Sequence, residues 1–152
     1  MNASRLRRGL SLPAAERWLA VEGLAMLAVS RAVLALLPFR IAMRWLGLRL
    51  DRRTGIAVDE AGETPATPSV LLVGTAVRRA AAIAPFRAVC LQQAVAAALM
   101  LRRRGHKAQV HFGVTRDHDG MITAHAWTRC QGQVVTGEQG MARYRPISVF
   151  VT

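Results

Sequence analysis

The chain has 152 residues, of which 21 are Lys or Arg and 9 are Asp or Glu, giving a formal charge of +12 at pH 7. That length suits one domain and leaves no room for a second of ordinary size. A hydrophobic fraction of 52% against 20% charged excludes a disordered chain, and two cysteines exclude a disulfide-rich secreted scaffold and a four-cysteine zinc site. Aromatic residues make up 5%, so Ala, Leu and Val must build most of the core. The excess charge is mostly arginine, which suits an acidic or nucleic-acid partner, although a coding bias toward Arg and Ala produces the same balance.

Residues 1–8 are basic, but the apolar run that follows is broken by Glu16, Arg17 and Glu22 and has no clear cleavage site, so it does not read as a signal peptide. Ser11-Leu12-Pro13 marks a helix start, with proline tolerated in the first turn and Glu16 near the positive end of the dipole. Apolar residues dominate from 14 to 37, and Pro38 is the expected break. Within this stretch residues 18–37 are long enough to span a bilayer. Glu22 and Arg31 would each cost about 2.5–3.5 kcal/mol at mid-membrane. The segment therefore reads as a buried or surface-associated helix, with membrane-surface contact as the second option. Residues 39–46 continue as a short helix with Phe39, Met43 and Leu46 on one face.

From 49 to 68 the composition shifts to Asp51, Gly55, Asp59, Gly62, Pro65 and Pro68, a loop with a solvated acidic stretch at 59–63. The chain thus divides into a helical portion (1–48), a loop (49–68) and a core (69–152). Residues 69–84 read as a helix ended by Pro85. Residues 88–104 form another, with Arg102, Arg103 and Arg104 complementing its dipole and Gly105 as cap. The period then changes. Ala108, Val110, Phe112 and Val114 alternate with Lys107, Gln109, His111 and Gly113, a strand pattern. A turn at 117–120 leads into a returning strand at 121–130, Gln131-Gly132 turns into a third strand at 133–136, and residues 147–151 are placed to close the sheet. Helices first and an antiparallel sheet after them make the fold α+β, with a cysteine-bearing helix packed on a small sheet.

Cys90 sits at the start of the second core helix. There the positive end of the dipole and free backbone N–H groups favour a thiolate and can receive an oxyanion. A small buried hydrophobe on an Ala-rich helix is the competing reading of the position alone. His125 follows 35 residues later, mid-strand, and alternation puts Met121, Thr123, His125, Trp127 and Arg129 on one face. A helix-opening cysteine and a strand histidine are the parts of a thiolate–imidazole pair. A core histidine bonded to a backbone carbonyl fits the same position, and Trp127 either shields the pair from water or belongs to the core. Cys130 alternates to the opposite face and reads as structural.

The remaining histidines do not converge. His118 lies in a turn, His111 points away from the apolar face of its strand, and no Cys/His spacing around His106 matches a zinc site, so no metal is expected. No phosphate-cradling glycine motif is present, and no nucleotide cofactor is expected. Scattered arginines with few aromatics argue against nucleic-acid binding. A non-catalytic basic module, binding nucleic acid or assembling at a membrane, remains the alternative function.

Leu12-Pro13, Leu36-Leu37-Pro38-Phe39, Cys90-Leu91, Arg103-Arg104-Gly105, Phe112-Gly113-Val114, Ala124-His125-Ala126-Trp127 and Arg143-Tyr144-Arg145-Pro146 follow one another in order. Together they resemble the lasso-peptide biosynthesis B2 proteins, over nearly the whole chain except 49–68. The resemblance implies a transglutaminase-like, papain-like core and a cytoplasmic leader peptidase. Such an enzyme removes the leader from a ribosomally made precursor peptide, so that a lasso cyclase can join the freed amine to a side-chain carboxylate. It implies Cys90 as nucleophile and His125 as general base and then general acid, with acyl transfer to water through a thioester. It also implies a separate leader-recognition protein, because the chain opens directly on the helical portion. An acidic third member is expected on the strand after the histidine, yet no Asp occurs at 131–138. Glu138 is the nearest carboxylate; Thr136, Gln131 or a backbone carbonyl are the uncharged alternatives. A Cys–His dyad with the third position open is the expectation, and the second oxyanion donor is also open, since position 84 is alanine where a papain-like reading seeks Gln.

Overall fold

The computed structural model describes residues 14–51 and 66–152. The helix start at Ser11-Leu12-Pro13 and the acidic stretch at 59–63 lie outside the described residues. Among those described, the helices are α1 (Ala14–Leu36), α2 (Phe39–Trp45), α3 (Pro68–Ile83) and α4 (Cys90–Arg103). The strands are β1 (Arg49–Leu50), β2 (Gln109–Arg116), β3 (Ile122–Cys130), β4 (Gln133–Thr136) and β5 (Arg145–Val151), in one antiparallel sheet of order β1-β5-β2-β3-β4. The fold is α+β, as the change of period indicates.

Helix α4 is central. Every residue from 94 to 101 is buried, because α1 and α3 pack on it from one side and the sheet from the other. A helix apolar all round belongs in such a place. Its alanines let β3 come close, and the buried Thr128 hydroxyl donates to the Ala94 carbonyl at 2.7 Å. The helix ends on Gly105 at φ 78°, with Gly105 N–H bonded to Arg102 O and His106 N–H to Leu101 O. These two bonds close the last turn onto its own carbonyls, Leu101 O also accepting from Arg104 N–H.

Helix α1 meets α3 at Gly23, where an added Cβ would lie 3.1 Å from Ala80 Cβ and 3.3 Å from Ala76 O. One residue earlier, Glu22 pairs with Arg103 and Arg104 at the end of α4, and Glu16 pairs with Arg79 of α3 at 2.6 Å. The Arg104 guanidinium, bonded to the Glu22 carboxylate, holds that carboxyl below its usual range. The charges that interrupt an otherwise apolar segment therefore clamp α1 to the helices beneath it.

Two expectations are corrected by the sheet. Arg49 and Leu50 do not belong to the loop; they pair with Val151 and Phe150 as an edge strand. In consequence β5 does not close the sheet but runs inside it, between β1 and β2. Two residues carry too short a pattern for a strand to be read from sequence, and their partner lies at the far end of the chain. At the other edge α3 covers β4. Arg78 donates to Val135 O at 3.0 Å, and Gly74 presses against the same carbonyl so closely that a Cβ would collide with it. A covered edge cannot recruit another strand.

The sheet buries both faces. Val110, Ala126, Cys130 and Phe150 join the core beneath α4. On the opposite face His111 and Trp127 are each 4% exposed, although alternation alone marks the His111 side of β2 as the polar one. A Cβ on Gly113 would lie 2.9 Å from both the Trp127 ring and Tyr144 Cβ, so the segment ahead of β5 folds over this face.

Candidate active site

Cys90 is the first residue of α4, and Val89 ahead of it is extended (φ −75°, ψ 165°). Two glutamines pin this junction. Val89 N–H donates to Gln92 Oε1 at 3.2 Å, and Gln93 Nε2 donates to Ala88 O at 2.8 Å. The N–H groups of the first turn have no acceptor within the helix, so Cys90 and Leu91 present theirs beside the thiol. The thiol is partly exposed and borders a solvent-open cleft of about 1000 Å3. Leu71, Arg78 and Ala82 of α3 form one wall, Ala88, Cys90 and Gln93 another, and His125 with Val135, Gly137 and Glu138 the third.

His125 reaches this cleft from β3, with Nε2 2.8 Å from Gly137 O. A carbonyl can only accept, so Nε2 carries a proton, and in the neutral ring Nδ1 is then the nitrogen with the lone pair. The ring lies 5.0 Å from Tyr144 and 6.1 Å from Trp127, centroid to centroid. Trp127 in turn stacks on His111 at 5.5 Å and 10°. Trp127 is therefore both core and backing for the imidazole. No hydrogen bond joins Cys90 Sγ to His125; catalytic hydrogen bonds are often formed fully only in the complex with substrate.

Gly137 makes this arrangement possible. It leaves β4 at φ 80°, a conformation that side chains rarely adopt. A Cβ there would lie 2.6 Å from Ala126 O and 2.7 Å from Trp127 Cβ. The glycine lets the chain turn tightly against β3 with its carbonyl directed at His125.

Among the residues considered for the third position, the backbone carbonyl is the one bonded to the ring. Glu138 is exposed on the cleft rim. Thr136 is buried, and its Oγ1 has no hydrogen-bond partner among the described residues. Gln131 lies at the β3–β4 turn, where its Oε1 accepts from Thr67 N–H at 2.9 Å. Cys130 faces the core, and its thiol donates to Lys107 O at 3.3 Å. His106 bonds to Ser69 at 3.0 Å, and His118 is exposed in its turn. Among the described residues no three His, Cys, Asp or Glu side chains gather in a way that could hold a metal ion.

Gly137 and Tyr144 are the contributors that sequence reasoning passes over. A glycine after a short strand signals a turn, but nothing local says where its carbonyl points. Tyr144 is the chain's one tyrosine, and it reaches the ring only because β5 pairs with β2.

A profile described as the transglutaminase-like superfamily matches residues 33–149, from the last turn of α1 into β5. No curated protein and no solved structure gives a significant match.

Proposed function

Because the chain belongs to the transglutaminase-like superfamily, we propose that it is a cysteine peptidase that removes the leader from a ribosomally made precursor during lasso-peptide biosynthesis. The observation that carries this reading is the placement of Cys90 and His125 on one open cleft, with Nε2 of the ring committed to Gly137 O. The basic nitrogen is then Nδ1, which takes the thiol proton as Sγ attacks the scissile carbonyl. The oxyanion that forms is received by the N–H groups at the start of α4. His125 returns the proton to the leaving amine, and the C–N bond breaks to leave a thioester on Cys90. Water, deprotonated by the same nitrogen, cleaves the thioester to a carboxylic acid and restores the thiol.

The order of motifs from Cys90-Leu91 to Arg145-Pro146 supports the lasso-peptide assignment within the wider superfamily. A separate leader-recognition protein and a lasso cyclase are the partners this reading carries, and the cytoplasm is its setting. The cleft has the form an extended peptide needs. It is open, and it carries both charge signs at Arg78 and Glu138.

The test is incubation of the protein with the precursor encoded beside its gene and the leader-recognition partner, followed by mass spectrometry. Leader release by the wild type and none by Cys90→Ala is the expected result. A precursor left intact by the folded wild type with its partner present would overturn the assignment.

A further inference from the structure

We propose that α1 and α2 form a docking surface for an anionic membrane, with α1 lying in the plane of the interface. This goes beyond the peptidase reading and does not depend on it. The outward face of α1 exposes Trp18 (74%), Val21 (55%), Val29 (43%) and Leu36 (81%), and α2, the next helix in the chain, exposes Ile41 (47%) and Trp45 (77%). On α1 these positions fall on one side of a 3.6-residue period, with exposed alanines filling the gaps between them. An exposed apolar stripe of this kind marks a site of interaction.

By length and composition α1 would suffice to cross a bilayer. Its inner face argues for lying on one instead. Leu27 and Ser30 are fully buried, Gly23 is in close contact with α3, and Glu22 is paired with Arg103 and Arg104. Insertion across the membrane would break all of these, whereas in-plane binding keeps them and covers only the outer stripe.

Charge and side-chain type select lipid over protein. Both glutamates of α1 are engaged by arginines of α3 and α4, while Arg17, Arg40 and Arg44 are exposed. Protein interfaces carry about one hydrogen bond per 100–200 Å2, and a stripe of Ala, Val and Leu offers no side-chain partner for one. Tryptophan, exposed on each helix at Trp18 and Trp45, is the residue type that settles at headgroup level. A shallow groove lined by Ile41, Arg44 and Trp45 sets a guanidinium beside apolar walls, which matches a phosphate above an acyl chain. The cleft stays accessible in this pose. Helix α3 meets α1 through Ala76 and Ala80 and lines the cleft through Leu71, Arg78 and Ala82.

The experiment is co-sedimentation with vesicles of phosphatidylcholine, with and without about one third phosphatidylglycerol, at low and high salt. Wild type should partition onto the anionic vesicles, more weakly at high salt, with a blue shift of tryptophan emission. The pair Val21→Glu and Val29→Glu should weaken binding by about tenfold or more, because a buried charge replaces apolar contact. The pair Arg40→Gln and Arg44→Gln should lose about fivefold for each arginine on anionic vesicles only. All four positions are exposed, so melting should be unchanged. No partition by the wild type, or equal partition by the glutamate pair, overturns the proposal. A wild-type dimer that the glutamate pair converts to monomer, without vesicle binding, assigns the face to a second copy and also overturns it.

Discussion

His125 donates a hydrogen bond from its Nε2–H to the carbonyl oxygen of Gly137, 2.8 Å away. A carbonyl sets the tautomer and the plane of the ring as a carboxylate would, but it brings no full negative charge to stabilise an imidazolium. A thiol ionises far more readily than a hydroxyl, so a cysteine nucleophile has less need of that charge.

Cys90→Ala and His125→Ala should each lower leader removal by about a thousandfold or more. Alanine suits the α4 sequence, and Cys90 lies at the helix start rather than among its fully buried positions, so the melting temperature of that variant should move little. Cleavage assays run beside circular dichroism check both halves. Near wild-type turnover in either folded variant would reject the pair.

The orienting contact can be separated from its neighbours by three substitutions. Gly137→Ala should destabilise by about 1–2 kcal/mol from its positive φ alone, with more from the clash against Ala126 O. It should also cut kcat tenfold or more, as the carbonyl shifts away from the ring, by the rough scale of misplaced catalytic groups. Glu138→Gln should change turnover by less than about twofold, because a solvated carboxylate contributes little. Thr136→Val removes a buried hydroxyl that has no partner among the described residues and should leave activity intact while stabilising by up to about 1 kcal/mol. A tenfold loss of turnover in folded Glu138→Gln alone would restore a charged third member.

Cys130→Ser should retain most activity. Its thiol lies on the core side of β3, donating to Lys107 O, away from His125 and Trp127. Serine can keep that hydrogen bond, and the expected cost is about 1 kcal/mol of stability from placing a more polar group in the core. Denaturant melts and cleavage rates measured together test this; an inactive but folded variant would contradict it.

The clamp between α1 and α4 predicts an acid-sensitive fold. The carboxyl of Glu22 titrates lower in the folded protein than its ordinary value of 4.5 because Arg104 is bonded to it. Its contribution is therefore complete above the unfolded value and fades as pH falls through the folded one. Wild-type stability should decline below about pH 4.5, and Glu22→Gln should flatten that decline while lowering stability at neutral pH. Chemical denaturation at a series of pH values checks it, and parallel acid limbs for the two proteins would exclude Glu22 as the group responsible.

Much of this molecule is legible locally. The switch from a 3.6 to a 2 period after Gly105 marks where helices give way to the sheet. The third strand, Gln133–Thr136, has the bounds that its flanking glycines indicate. Cys90 at a helix start and His125 mid-strand are also local facts, since each depends on periodicity and punctuation within a few residues. The same local view misses β1, too short to carry a pattern, and takes β5 for a closing strand when it lies inside the sheet. It also leaves the His111 side of β2 polar, because alternation reports one covered face and cannot see the Tyr144 segment that covers the other.

By itself the sequence determined the two chemical groups and the class of element that bears each, because backbone preference and side-chain alternation act over short spans. Only the tertiary structure decided what holds the histidine. That answer depends on the register of β4 against β3, with its shift between Thr128 and Arg129, and on Gly137 turning at a positive φ to aim one carbonyl. Tertiary packing likewise turned Glu22 from an interruption in an apolar helix into a clamp, because its two arginines arrive from α4, more than 80 residues along the chain. Contacts between distant segments are selected by the free energy of the whole packed chain, which no local pattern encodes.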